Sequence, residues 1–423
     1  MKIKRIMAIA LIAMMALSFV FAGGSSEKTT TTNADGKYAG VTLNYWAMWN
    51  SSEPQGKVIQ QAADAFMADT GAKVNIEWKG RDLNKIIQAS LESGDAIDLF
   101  DDDYSRIGKI YAPYTYDLTE LAAADDYASK SYAVFSNESI KMAGFLNSIA
   151  EQPQVGGIFY NKDIFDACGI EAPETWDEFL AACQTMVDNG YQPMALDGTY
   201  SDFWFGYHLD RRIGENTTRE LTLNGGWSKN AGAIAAAQDM IDFVKAGYLA
   251  DGAPDEYPAS QNKIGLTGKV AMIVCANYVK SEVDNVAGEA LNWGLLNYPV
   301  IPTSEGGTGV ANAYVGANSL AITSYSKNPQ AAWDFAMYLV TGKYDQLMAD
   351  TVPQVPADPR NEEPISQIGS QDALNATTTP VSWTAGLNAN GDLKSSIKSL
   401  CIQLFEGKFA TGEDFCKALD ALY

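Results

Sequence analysis

Between residues 41 and 100 the hydrophobic pattern changes period again and again, and few folds tolerate that. Residues 41–46 alternate apolar and polar, as a half-buried strand does. Lys73–Trp78 does the same, with Val74, Ile76 and Trp78 on one side. Between them Val58, Ala62, Ala65 and Phe66 recur at helical spacing. Ser51, Ser52 and Pro54 open that helix, and Gly71 closes it after Thr70. A second helix is expected to carry Leu83, Ile86, Ile87 and Leu91, capped by Asp82 and ended by Gly94. Residues 97–100 then read as a third strand. The order β-α-β-α-β predicts an α/β fold, a parallel sheet covered by helices. Ligands of such sheets gather beyond the carboxyl ends of the strands. Residues 46–50, 79–82 and 101–104 are therefore the ones to watch.

Further along, Thr175 and Glu178 form a capping box before a stripe of Trp176, Phe179, Leu180, Cys183 and Val187. Residues 229–247 predict another helix, residues 268–279 a buried strand and residues 319–322 a further strand. A helix is expected from Asn328 through Val340, and residues 392–422 read as two helices split at 407–412. No repeat period stands out. The length of 423 residues suits two to three domains or one large two-lobed unit.

Composition excludes several functions. The chain has 52 acidic and 30 basic residues, a net charge of −22, which argues against nucleic acid and anionic lipid as partners. One histidine, His208, leaves little room for histidine-rich metal sites or histidine-dependent nucleophilic catalysis, and it reads as structural. Five cysteines show no metal-ligand spacing. Cys168 with Cys183 and Cys401 with Cys416 could pair, but all five also read as free core residues. No cofactor, metal or catalytic constellation is expected.

Lys2, Lys4 and Arg5 precede an apolar run from Ile6 to Ala22, and residues 20–22 suit a cleavage site. Residues 1–22 therefore read as a signal peptide, with a retained anchor as the alternative. No cysteine follows that run, so the leader is not that of a lipoprotein, and an exported, periplasmic or cell-envelope location follows. Residues 23–38 are small and polar and are expected to form a flexible linker.

Four segments carry a family resemblance: LNYWAMW with FMADTGAKVNIEW, then GIFYNKDIFDACGIEAPETWDEF, GKVAMIVCANYV and GANSLAITSYSKNPQAAWDFAMYLVTG. Together they resemble the family 1 extracellular solute-binding proteins of ABC importers, the group typified by the maltose-binding protein. The YNKDIF…TWDEF string is the most specific of them. The resemblance implies a type II-like fold of two α/β lobes joined by a hinge, each a mainly parallel sheet flanked by helices. Segment matching implies a first lobe of residues 39–147 and 302–350 and a second of 148–301 and 351–423. A carbohydrate would bind in the cleft, the lobes would close over it, and the closed form would dock on permease subunits as a monomer.

Sugars offer apolar faces to aromatic rings and hydroxyls to polar side chains. Trp46, Trp49 and Asn50 follow the first strand, although one of the tryptophans reads equally as core. Arg81 follows the second strand, and Asp101 and Asp102, with Asp103, follow the third. A calcium site on those three carboxylates is the alternative, but the spacing is not that of an EF-hand loop. Trp204, beside Phe203, suits either stacking or a core helix, and Trp227 follows a glycine pair. Asn277 and Tyr278 end the expected buried strand, Gly316 and Asn318 precede another, and Trp383 lies in TTTPVSWTAG. Two other readings compete: the same fold binding an amine or a peptide, and a secreted glycosidase using two carboxylates.

Overall fold

The computed structural model describes residues 36–423; the expected signal peptide and all of the linker up to residue 35 lie outside the described residues. Among the described residues no helix is long and apolar enough to cross a membrane.

The opening units form as their patterns require. Strand β1 (Thr42–Ala47) pairs in parallel with β2 (Lys73–Trp78) and β3 (Leu99–Asp103). Helix α1 (Pro54–Thr70) lies between the first two, with Val58, Ile59, Ala62 and Phe66 buried and Gly71 left-handed at its end. Helix α2 (Leu83–Ser93) buries Leu83, Ile87 and Leu91. Two details differ from expectation. Ile86 is 42% exposed, because it sits a quarter turn away from that stripe. The Asp82 side chain makes no cap bond and instead pairs with Lys85 at 2.6 Å.

Two long strands make the middle of the sheet, β4 (Ile149–Asn161) and β8 (Ala313–Ile322). Residues 149–155 of β4 pair with β8, and residues 156–161 pair instead with β6 (Val270–Ala276) and β7 (Trp293–Leu296). Strand β5 (Gln192–Ala195) adds to β6 in parallel, and the two-residue β9 (Pro380–Val381) adds to β8. The full order is β2-β1-β3-β8-β4-β6-β5, antiparallel through its middle. Strand β4 therefore joins the two halves of the sheet, pairing with β8 at its start and with β6 and β7 at its end.

Two large apolar cores flank that crossing. Helix α3 (Ala133–Ala143) packs Val134 and Phe135 against Ala150, Val155 and Val315 at that crossing. The second surrounds β6 with α4 (Trp176–Asp188), α5 (Ser201–Asn224), α6 (Ala231–Lys245), α7 (Ala259–Thr267) and α8 (Tyr278–Ala287). The chain then returns to the first core, where Trp333 and Phe335 of α9 (Pro329–Val340) join Leu43, Tyr45, Phe66, Leu99 and Leu320. These are the two lobes. Val355 and Ala357, beyond α10 (Gly342–Thr351), still pack with first-lobe residues. The last helices, α11 (Lys394–Phe405) and α12 (Gly412–Asp420), complete the second core.

The capping box of α4 forms as its sequence requires, but its inner stripe takes Met186 and leaves Val187 37% exposed. The strand expected over residues 268–279 stops at Ala276, where the chain turns into α8. The five cysteines are all free thiols.

Candidate functional site

A cavity of about 360 Å³ opens between the lobes, within the size range of small-molecule sites. From the first lobe it receives Asp103 and Tyr104 at the carboxyl end of β3, then Lys109, Glu138 and Lys141. From the second it receives Glu215, Asn216 and Arg219 of α5, with Tyr314, Ser382, Trp383 and Asn388.

Local chemistry sets each of these. The Asp103 carboxylate accepts from Ser105 N and Arg106 N, each at 3.1 Å, so it ends β3 and starts the next turn. Tyr104 O–H donates to the Val315 carbonyl at 3.2 Å, across from the first lobe to β8. Helix α5 is broken at Gly214, whose φ of 79° and ψ of 154° suit glycine alone, and this re-aims Glu215, Asn216 and Arg219. The Glu215 carboxylate accepts from Ser382 Oγ and Ser382 N, tying α5 to the segment that carries Trp383.

The Trp383 indole stacks on Phe203 with centroids 4.0 Å apart and planes at 19°. Tyr314 meets it edge-on at 5.1 Å. The ring is thus braced on one face by a buried phenylalanine, half-buried, and lines the cavity. Asp103, Glu138 and Glu215 all line the cavity beside Tyr104, and burial first, then these charges, push the Tyr104 phenol up.

Adjacent residues on a strand face opposite ways, so Asp102 points away from Asp101, and Asp103 is drawn aside by the turn that it caps. Asp101 is fully buried, accepting from Tyr45 O–H at 2.6 Å and Met48 N at 2.5 Å. Asp102 is ion-paired with Arg106 and accepts from Tyr111 O–H at 3.1 Å. Only Asp103 lines the cavity. Calcium has no shared cage there, and among the described residues no cluster of three or more acidic, histidine or cysteine side chains is placed to hold a metal. Behind Asp101, Glu151 is 2% exposed, and neither of its oxygens meets a donor at normal distance. Burial first and the Asp101 charge second push its carboxyl well above the usual range. Burial likewise lifts the Asp101 carboxyl.

The remaining candidates fall elsewhere. Trp46 packs with Leu83, Ile87 and Phe100 under the Lys79 ammonium, 3.8 Å from its ring. Trp49 is 4% exposed, with the Arg81 guanidinium 4.1 Å from its ring. Arg81 also donates to the Met48 carbonyl at 2.7 Å, and the exposed Asn50 donates its N–H to Glu53 at 2.9 Å. Trp204 is fully buried, stacked on Phe405, and its indole N–H donates to Tyr298 at 3.0 Å. Trp227 is fully buried beside the turn that Asp420 holds through the N–H groups of Gly226, Trp227 and Ser228. Both aromatic rings are core, as expected of bulky side chains inside the second lobe. Asn277 is 2% exposed and hydrogen-bonded inside the molecule, and Tyr278 starts α8 beside Tyr200 and Cys275. Gly316 leaves room for Tyr314, whose O–H a Cβ there would meet at 2.0 Å. Asn318 donates to Gln152 at 3.4 Å.

Of the thirteen candidates, then, only Trp383 lines the interlobe cavity directly. Sequence reasoning missed Glu215, Arg219 and Tyr314; it marked Tyr104 only as a position to watch, and it named Asp103 only beside its two neighbours. Asp103 and Tyr104 were signalled by their place just past a strand. Glu215 and Arg219 lie mid-helix, and only the break at Gly214 marks them. A larger cavity of about 610 Å³ lies beside Val155, Gly156, Ala313 and Ala373, and no aromatic side chain lines it. His208 is fully buried between Tyr298 and Asp239, at 3.1 and 2.7 Å, and is structural.

Comparison with known proteins places this architecture. The chain belongs to the bacterial extracellular solute-binding protein family, whose model matches residues 50–345. The diacetylchitobiose-binding protein DasA of Streptomyces coelicolor is 28% identical over 366 residues, 82% of this chain and 80% of its own. The melibiose/raffinose/stachyose-binding protein MelE of Bacillus subtilis is 28% identical over 191 residues, 44% of this chain; the match spans 41% of that protein, less than half its length. Among solved structures, the putative binding protein MsmE of Bacillus subtilis, in an open conformation, aligns with a TM-score of 0.70 at 18% identity, covering 90% of this chain and 96% of that one. RafE in complex with raffinose aligns with a TM-score of 0.65 at 16% identity over 90% and 98% of the two chains. These likenesses establish the two-lobed fold.

Proposed function

We propose that this protein is the extracytoplasmic receptor of an ABC importer, taking a carbohydrate between its lobes and presenting it to membrane permease subunits without altering it. The observation that carries the reading is Trp383, braced by Phe203 and lining a cavity whose polar groups come from both lobes. An aromatic plate takes the apolar face of a sugar ring, while Asp103, Asn216, Arg219 and Asn388 offer bonds to its hydroxyls. A ligand touching both lobes favours the closed state by its differential affinity. The sugar-binding relatives DasA and MelE support a carbohydrate as the solute.

The same reading takes residues 1–22 as a cleaved export signal, and residues 39–147 with 302–350 and 148–301 with 351–423 as the two lobes, except that Tyr314 packs with the second and residues 353–358 stay with the first. It takes the receptor as a monomer, and it assigns no catalytic, metal or cofactor role. It takes as ligand contacts Trp383, Asp103, Tyr104, Glu215, Arg219 and Tyr314, which line the cavity.

A second reading, a cationic amine, draws on the three carboxylates that converge on Tyr104. A thermal-shift screen of mono-, di- and trisaccharides against amines and peptides tests both. A sugar is expected to raise the melting temperature and change tryptophan fluorescence, with the sugar recovered intact. Binding of an amine that weakens steeply with salt, and of no sugar, would overturn the carbohydrate. Release of a cleaved sugar would overturn the receptor.

A further inference from the structure

The third passage between the lobes, between α10 and β9, is tied at both of its ends. On the first-lobe side, Asp345 accepts from the N–H groups of Ala357 and Asp358 at 2.8 and 3.0 Å, and Tyr132 O–H donates to the Pro356 carbonyl at 3.0 Å. On the second-lobe side, the buried Lys280 of α8 donates to Ser370 Oγ at 3.2 Å. Gln367 lies between these anchors and is fully buried. Its Oε1 accepts from Asn277 Nδ2 at 3.0 Å. Its Nε2 is shared between two carbonyls, Asn277 at 3.3 Å and Pro353 at 3.1 Å.

Asn277 extends the link to the first passage. Its N–H donates to the Val155 carbonyl at 3.0 Å, and its Oδ1 accepts from the Val155 N–H at 2.9 Å. Val155 is the last residue of β4 paired with β8, and Gly156 is the first paired with β6. The Asn277 side chain thus continues the β6 ladder one residue past the point where the backbone turns away into α8. One buried amide therefore grips the second lobe through Asn277 and the first through Pro353. Rotation of the lobes changes the separation of those two carbonyls, and a single Nε2 cannot follow both. A buried amide that loses its partner is penalised, so each lobe angle carries a different hydrogen-bond energy.

We propose that Gln367 is a positioning residue that, through Asn277 and Pro353, sets the balance between open and closed lobes. No ligand contact is involved. The inference rests on the lobe-closure reading above. The test compares the wild type with Gln367→Glu, which keeps the Oε1 acceptor and removes the donor, and with Asn277→Ser. Both are examined as the full ligand-free chain, by small-angle scattering and by amide hydrogen exchange.

The variants are expected to show a changed radius of gyration. Exchange at Val155 should be at least tenfold faster, with exchange in the lobe cores at Tyr45 and Ile273 unchanged. Scattering profiles that superimpose on the wild type would overturn the inference even if Val155 exchanges faster, because the Asn277 side chain is itself the acceptor of that N–H. Faster exchange in both cores would overturn it too, because the amide would then serve stability alone. Failure of the closure reading looks different: the wild type itself would keep one radius with every sugar that raises its melting temperature.

Discussion

Trp383 is useful because Phe203 holds it, and each residue near the cleft has to be judged by what its side chain already touches. Trp383→Ala is expected to weaken sugar binding at least tenfold by titration calorimetry, with the fold intact and a modest fall in melting temperature as Phe203 is uncovered. Trp46 has the opposite expectation. Its ring packs with Leu83, Ile87 and Phe100, so Trp46→Ala should lower stability by about 3 kcal/mol in denaturant unfolding.

Glu151 gives a pH signature. A carboxyl whose folded pKa is raised holds extra protons in the folded state between its unfolded and folded values. Its penalty is absent below about pH 4, the unfolded value, and grows as pH rises through the folded one. Glu151→Gln should therefore raise the melting temperature at pH 8 and leave it unchanged at pH 4, because the amide carries no charge to bury at either pH. A pH-independent effect would show that the buried pair with Asp101 carries no such penalty. The sequence showed a row of three acids and no hint that Glu151, far along the chain, stands behind the first. Burial partners come from the β4 crossing, which no local pattern encodes.

At the scale of elements, helix α5 rests directly on the turn that carries Trp383. A Cβ at Gly206 would meet the Thr384 carbonyl oxygen at 2.3 Å, a backbone atom that cannot move aside cheaply. Gly206→Ala is expected to cost about 1–3 kcal/mol of stability and to change the fluorescence of Trp383. The helices and strands of residues 41–100 were legible because each buries one face with its own period, and the capping box of α4 was legible for a similarly local reason. The end of β6 was not. The apolar run of the strand carries on through Tyr278 and Val279, and the turn into α8 is set by the Asn277–Val155 bonds to a distant strand. SDFWFGYH read equally as core or ligand plate for the same reason. Helical spacing puts Trp204 and Phe203 on nearby faces, and only packing assigns Trp204 to the core and Phe203 to the back of Trp383.

For the whole molecule, two cores meet where the chain crosses between them, at β4 and again beyond α10, and the proposed closure would rotate them about those crossings. Scattering with a bound sugar is expected to give a smaller radius of gyration than scattering without it, and an unchanged radius would mean that the ligand is held without lobe closure. What the sequence determined alone was the class of fold: alternating periods demand helices against a sheet, and the YNKDIF…TWDEF string carried the family. What only the tertiary structure decided was the site. A cleft between lobes is assembled from residues far apart in the chain, Asp103, Glu215, Tyr314 and Trp383. Whether a tryptophan is plate or core depends on which distant surface reaches it first, and sequence period records only the face on which a side chain lies.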